Sequence, residues 1–260
     1  MFSLDAFRLD GKVAIVTGAG ARNNSIGEAY AKGLAAAGAS VVVADLDAGG
    51  AERIAQEIIS AGGQAKGVRA DITDPASVGA MAALARTAFG GVDILVNNAA
   101  LMVDVKWAPP TRTPIEQWNH IMAVNVTGAL ICAQAVAPMM RERGGGKIIN
   151  QVSAGAFPAN SVYGVSKLAL VGLTTALAAE LGRDNVNVNA IAPGMTASDA
   201  GSSMTPDESP LAKFLSGVCA LRARGQPDEL VGALLLLCSP AGAWITGQVL
   251  HIDGGWVVRP

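Results

Sequence analysis

Tyr163 and Lys167 stand four residues apart in Tyr163-Gly164-Val165-Ser166-Lys167, a spacing that on a helix puts a phenol and an ammonium on one face. A free tyrosine has a pKa of about 10 and is a weak base at neutral pH, whereas a nearby cation favours the phenolate. Such a pair can exchange a proton with an alcohol or ketone oxygen. Nearer the N-terminus, Thr17-Gly18-Ala19-Gly20-Ala21-Arg22-Asn23-Asn24-Ser25-Ile26-Gly27 joins a β-branched run to a helical one. A glycine-rich turn in that place lets backbone amides and a helix N-terminus face a pyrophosphate. Asp45 follows Gly27 by 18 residues, at the end of the second strand, where an acid accepts hydrogen bonds from an adenosine ribose. A carboxylate there repels a 2′-phosphate, so NAD is expected over NADP. Arg22 is the contrary feature, as a loop cation able to reach a phosphate.

These groups need strands and helices to hold them. Apolar runs over 12–17, 40–44, 65–70, 92–97, 147–152, 186–191 and 249–252 read as strands. Helical patterns intervene over 26–37, 48–61, 115–140 and 161–181, and another helix opens at Asp74-Pro75, where proline loses no hydrogen bond. The strands are apolar on successive residues, as expected of parallel strands covered on both faces. The pattern predicts a single-domain, doubly wound α/β Rossmann fold over 1–260, its seven-stranded parallel sheet flanked by helices. Residues 99–114 and 193–210 are the longest irregular stretches, and such stretches are usually functional. The second, extending to about 214, is expected to be a mobile lid.

Composition narrows the function. The chain has 260 residues, 51% of them hydrophobic, with 19 basic and 21 acidic side chains and a net charge of −2. That balance lacks the footprint of a nucleic-acid or anionic-membrane binder. The strongly apolar run over 231–238 falls far short of the roughly 20 residues of a spanning helix, and acids occupy the N-terminal stretch where a signal peptide would be cationic and apolar. A cytoplasmic protein is expected, with no membrane partner. Cys132, Cys219 and Cys238 lie far apart with only two histidines, so neither a disulfide framework nor a metal site is expected. Glycine, at 31 residues, must serve turns and close backbone approaches.

Taken with Asn97-Asn98-Ala99-Ala100, Asn125, Ser153, Pro193-Gly194 and Asp253-Gly254-Gly255, these motifs in this order resemble the short-chain dehydrogenase/reductase family over essentially the whole chain. The resemblance implies a tetrad. Tyr163 would give or take the proton, Lys167 would lower its pKa and hold the nicotinamide ribose, Ser153 would bond the substrate oxygen, and Asn125 would anchor a proton-relaying water. Asp71 with Ile72 would meet the adenine, and Asn98 with Ala99 would lie beneath the cofactor. Gly18, Gly20, Arg22, Ser25, Ile26 and Gly27 would surround the phosphates, and Pro193, Gly194 and either Thr196 or Ser198 the nicotinamide. The resemblance also implies a homotetramer.

Three departures stand out. Gly18 to Gly27 spans nine positions, not six, with Ser25 at the middle glycine. Ala100 replaces a glycine. Ser153 lies ten residues before Tyr163, closer than is common, which leaves Ser161 as an alternative.

Leu101, Met102, Val103, Trp107, Phe157, Met195, Met204, Leu211 and Phe214 are expected to wall an apolar substrate site. The expected reaction is NAD-dependent interconversion of a secondary alcohol and a ketone on a small, apolar or cyclic molecule. The alternatives are a 3-oxoacyl thioester reductase, kept open by Lys106 and Arg112, and a non-catalytic dinucleotide-binding sensor.

Overall fold

The computed structural model describes residues 3–21, 23–103, 108–221 and 224–258. The apolar runs form β1 (Val13–Thr17), β2 (Ser40–Asp45), β3 (Gln64–Arg69), β4 (Ile94–Asn97), β5 (Gly146–Gln151) and β6 (Val186–Pro193). A short ladder of β7 (Met195–Thr196) with β8 (Arg224–Gly225) precedes β9 (Val249–Ile252). All seven long strands are parallel, in the order β3-β2-β1-β4-β5-β6-β9. The order reverses between β1 and β4, which opens a crevice at the carboxyl ends of the strands.

Successive residues are apolar because the two faces meet different helices. Ala14, Val16, Val41 and Val43 pack under α1 (Ile26–Ala36), α2 (Ala48–Ser60) and α9 (Val231–Cys238). Val13, Ile15, Val42 and Ala44 face the opposite layer, which comprises α3 (Pro75–Phe89), α5 (Gly128–Glu142) and α6 (Val162–Leu181). Asp74 caps α3 by accepting from the Ala76 amide, with Pro75 in the first turn.

Three expectations are corrected. The helix expected over 115–140 is α4 (Ile115–Met122) and α5 joined by a π turn, Ala123–Thr127. The stretch expected to be irregular over 193–210 instead holds β7 and α7 (Asp199–Met204), and α8 (Pro210–Val218) follows. Finally, Ile115–Glu142 and Val162–Asp184 are long and apolar enough on average to cross a membrane, although 231–238 is short. Core packing explains that apolarity, since Cys132, Val136, Met140, Leu177 and Leu181 all lie in the core under the sheet.

A buried polar chain crosses this layer. Asn97 and Asn150 are register partners on β4 and β5, and Asn97 Nδ2 donates to Asn150 Oδ1 at 2.9 Å. Asn150 Nδ2 donates to Thr174 Oγ1 on α6 at 2.9 Å, and Thr174 donates to the Leu170 carbonyl. Leaving any of these groups unpaired would cost about 1–3 kcal/mol.

Candidate active site

A cavity of about 690 Å3 runs along the carboxyl edge of the sheet, within the usual size of small-molecule sites. One end is built by the turn after β1. Gly18 has φ +67°, and a Cβ there would lie 2.5 Å from Ala99 Cα. At Gly27 a Cβ would lie 2.4 Å from the Gly18 carbonyl, so both positions need glycine to keep the turn tight. Asn98 secures the turn from β4, its Nδ2 donating to the carbonyls of Thr17 and Gly18 at 3.0 and 2.8 Å. Ser25 caps α1 by accepting from the Glu28 amide at 3.0 Å, which aims the helix N-terminus at the cavity beside Ile26 and Gly27.

Asp45 does more than the sequence suggests. Its Oδ2 accepts from the amides of Gly20 and Ala21 at 2.8 and 3.1 Å, and its Oδ1 from the Asp47 amide at 3.0 Å. A carboxylate has about four acceptor sites, so most of this one fastens the phosphate turn to β2 while the residue still lines the cavity. Gly20 does not line it. A Cβ there would lie 2.4 Å from the Ala51 amide nitrogen, so this glycine serves the packing of the turn on α2. Arg22 lies outside the described residues. Farther along, Asp71 Oδ1 accepts from the Thr73 amide and hydroxyl at 2.9 and 2.6 Å, and that hydroxyl holds its carboxyl below the usual range. Ile72, Ala99 and His120 share this wall; His120 had no sequence signal.

At the other end stand Tyr163 and Lys167 on α6. The Ser153 hydroxyl is hydrogen-bonded to the Tyr163 phenol. Ser161, the alternative, instead caps α6 by accepting from the Gly164 amide at 3.1 Å. Lys167 is 1% exposed, and its Nζ donates to the Gln151 carbonyl at 2.7 Å while lying 5.7 Å from the tyrosine ring centre. Burial brings this amine down to about 7. Burial also pushes the Tyr163 phenol up to about 12, against the opposing Ser153 hydrogen bond. The expected lowering of the tyrosine by its cation is therefore not what this geometry produces, because desolvation penalises both charged forms.

Asn125 is buried and does not line the cavity. It sits in the π turn, a wide turn often found at functional sites. Its Oδ1 accepts from the Leu101 amide at 2.7 Å, and its Nδ2 donates to the Leu101 carbonyl and to Ser166 Oγ at 3.2 and 3.0 Å. Ser166 in turn donates to the Tyr163 carbonyl at 2.7 Å. The side chain thus ties a cavity-wall loop to the helix that bears the tyrosine.

Of the expected apolar walls, Leu101, Met102, Val103, Met195, Met204 and Leu211 line the cavity. Phe157 stacks on His251 with ring centres 4.6 Å apart, and Phe214 is 61% exposed. Neither lines the cavity, and Trp107 and Lys106 lie outside the described residues. Pro193, Gly194, Thr196 and Ser198 all line it; Thr196 and Ser198 share a hydrogen bond of 3.0 Å, and Ser198 also caps α7. Asn160, Thr205 and Trp256 are lining residues that the sequence did not reveal. Trp256 arrives through a turn in which Gly254 and Gly255 have φ of +67° and +80°, a signal present in the glycine pair. Lys167 is the only lysine or arginine among the described lining residues.

A family model described as enoyl-(acyl carrier protein) reductase matches residues 20–257. The 7α-hydroxysteroid dehydrogenase of Escherichia coli K12 is 40% identical over 260 residues, covering 99% of this chain and 98% of that protein. A solved structure of 7α-hydroxysteroid dehydrogenase complexed with NADH and 7-oxo glycochenodeoxycholic acid superposes with a TM-score of 0.90 at 40% identity, covering 100% of this chain and 99% of that one. Gluconate 5-dehydrogenase from Burkholderia cenocepacia J2315, in complex with NADP and tartrate, gives a TM-score of 0.90 at 34% identity, covering 98% of each chain.

Proposed function

The chain is an oxidoreductase belonging to the short-chain dehydrogenase/reductase family, and from that premise we propose that it interconverts a neutral, apolar or cyclic secondary alcohol and its ketone with NAD. The observation that carries this reading is one continuous cavity that joins the glycine turn and Asp45 to the Tyr163–Ser153–Lys167 cluster. The turn fits a dinucleotide: a side chain at Gly18 or Gly27 would push it off Ala99 or off its own backbone and break its tight shape, and the α1 N-terminus favours an anion. Gly18, Ser25, Ile26 and Gly27 would hold the phosphates, Asp45 the ribose, Asp71, Ile72, Asn98 and Ala99 the adenine side, and Pro193, Gly194 and Thr196 or Ser198 the nicotinamide.

When bound, the nicotinamide supplies or accepts the hydride. Tyr163 Oη gives the matching proton to the ketone oxygen or takes it from the alcohol, and Ser153 steadies that oxygen beside it. A phenol that stays protonated suits the reducing direction as written. The oxidising direction needs the charged form of Lys167, which its hydrogen bond to the Gln151 carbonyl favours. Asn125 acts on both loop and helix as a positioning residue, in place of the water-anchoring role expected for its side chain.

NAD is favoured over NADP because Asp45 and Asp47 both face the ribose end of the cavity, and a 2′-phosphate would meet two carboxylates. A neutral substrate is favoured because the walls from 101–103, 152–163 and 195–215 contribute no charged side chain. The side chains of Asn160, Thr205 and Trp256 line this half without a hydrogen-bond partner among the described residues, so a substrate with a second neutral oxygen is favoured over a hydrocarbon alcohol. An acyl-carrier thioester finds no cation among the described residues of these walls, and Arg112 is exposed on the turn Pro110–Arg112. The proposed activity is tested by following NADH at 340 nm with cyclic alcohols, cyclic diols and 3-oxoacyl thioesters. Reduction of the thioesters alone, or no turnover of any, would overturn it. A homotetramer is supported by the exposed apolar face of α6, where Leu168 is 43% exposed; a monomer mass in light scattering would refute it.

A further inference from the structure

The turn between β1 and α1 is three residues longer than the pattern it resembles, and the extra length crosses the cleft. Asn24, in that turn, has φ +46°, a left-handed conformation that asparagine tolerates better than most residues. Its Nδ2 donates to the Ala197 carbonyl at 2.7 Å. Ala197 is itself held, its amide donating to the Gly225 carbonyl at 2.8 Å beside the β7–β8 ladder. Ala21 and Ser25 line the cavity from one wall and Thr196 and Ser198 from the other, whereas Asn24 and Ala197 do not line it. The bond therefore lies outside the cavity and ties one wall to the other.

We propose that Asn24 and Ala197 form a strap across the dinucleotide cleft, which opens to admit and to release the cofactor. The inference rests on the dinucleotide site given under Proposed function and adds a gate to it. A dinucleotide that touches both walls must pass the line that this bond closes. Asn24 is exposed, and a single neutral hydrogen bond of this kind shifts an equilibrium by about two- to tenfold. The strap is thus a latch that water can open. Because the bond joins two protein groups and needs no cofactor atom to form, it slows entry as well as exit.

The test is stopped-flow fluorescence of NADH with the full chain, comparing wild type with Asn24→Gly, which keeps the positive φ, and Asn24→Asp, which sets a carboxylate against the Ala197 carbonyl. Association and dissociation should both quicken by about two- to tenfold in each variant, leaving the Kd nearly unchanged. The unfolding midpoint without cofactor should fall in Asn24→Asp by no more than the loss of that one bond explains. Faster dissociation alone would make Asn24 a direct cofactor contact and overturn the strap. Unchanged rates would overturn it too, as would weaker binding accompanied by a larger fall of the midpoint in both variants, the mark of a structural role. If wild type binds neither NADH nor NADPH, the proposed function falls with the strap; if it binds and the variants match it, only the strap falls.

Discussion

Replacing Lys167 by methionine removes a buried amine while keeping most of its stem, and its effect on stability should depend on pH. In the unfolded chain the amine has its ordinary pKa of about 10.4, whereas in the fold burial brings it to about 7. Between those values the unfolded chain binds a proton that the folded protein does not, so folding becomes more favourable as pH rises, by up to about 1.4 kcal/mol per unit. This gain fades as pH falls toward 7, below which both states are protonated. Integrated from pH 7 to 9.5, wild type should gain about 3 kcal/mol more than Lys167→Met. Losing the bond to the Gln151 carbonyl costs about 1–3 kcal/mol, which shifts the variant's curve without tilting it. Urea unfolding of both proteins at fixed ionic strength measures the difference. Parallel profiles would show that Lys167 keeps an ordinary pKa in the fold, and the desolvation argument for the pair would fail.

Tyr163→Phe should bind NADH nearly as wild type does yet lose at least about 100-fold in turnover, the lower range for a lost general acid or base; normal turnover would remove the phenol from the reaction. Asp45→Ala should weaken NAD and narrow the preference over NADP, but because the carboxylate also holds the amides of Gly20 and Ala21, the best NADP affinity should remain modest. A variant that gained strong NADP binding would show that the turn stands without this acid. Limited proteolysis should nick residues 193–214 less readily once NADH and a substrate analogue are bound, as a closing lid requires; equal cleavage would argue that the segment does not respond to ligand. Asn125→Ala should lower kcat more than it raises KM for NADH, since it releases Leu101 and Ser166 rather than a cofactor contact, and a pure affinity loss would contradict that placement.

What the sequence made legible was whatever is local or periodic. Seven strands, the Tyr163–Lys167 spacing and the acid at the end of β2 follow from short-range pattern, and each stands where expected. Roles that depend on a distant partner were hidden. Gly20 looks like a phosphate-loop glycine, but Ala51 on α2 decides that it is a packing glycine. Asn125 looks like a site residue, and only the fold shows its amide clasping Leu101. The π turn is not marked as such in the sequence: Val124, Asn125, Val126 and Thr127 are weak helix formers, but weak propensity does not tell a widened turn from an ordinary one. Phe157 and Phe214 are apolar yet do not line the cavity, because apolarity states that a side chain seeks cover and not which cover it finds. The pKa of Tyr163 is hidden for a related reason: spacing gives the cation's nearness, while burial, which pushes the phenol the other way, is a property of the whole layer.

The buried chain from Asn97 through Asn150 to Thr174 sets where α6 sits along its own axis. Thr174 lies seven residues, about two turns, beyond Lys167 on the same face of the helix. A slip of α6 by one residue would move every side chain along it by about 1.5 Å and swing it by about 100°, carrying Tyr163 Oη off its partner Ser153. Apolar contacts alone tolerate such sliding, since one leucine replaces another at little cost. Here a slip would take Thr174 Oγ1 away from the Asn150 amide and leave that buried donor unpaired, at a cost of about 1–3 kcal/mol, although Thr174 stands roughly 10 Å along the helix from Lys167, the rise over those seven residues. The amide chain works as an index mark: it lets a smooth, alanine-rich helix be read at only one position, so the accuracy of the reacting end is set deep in the protein, where no substrate reaches.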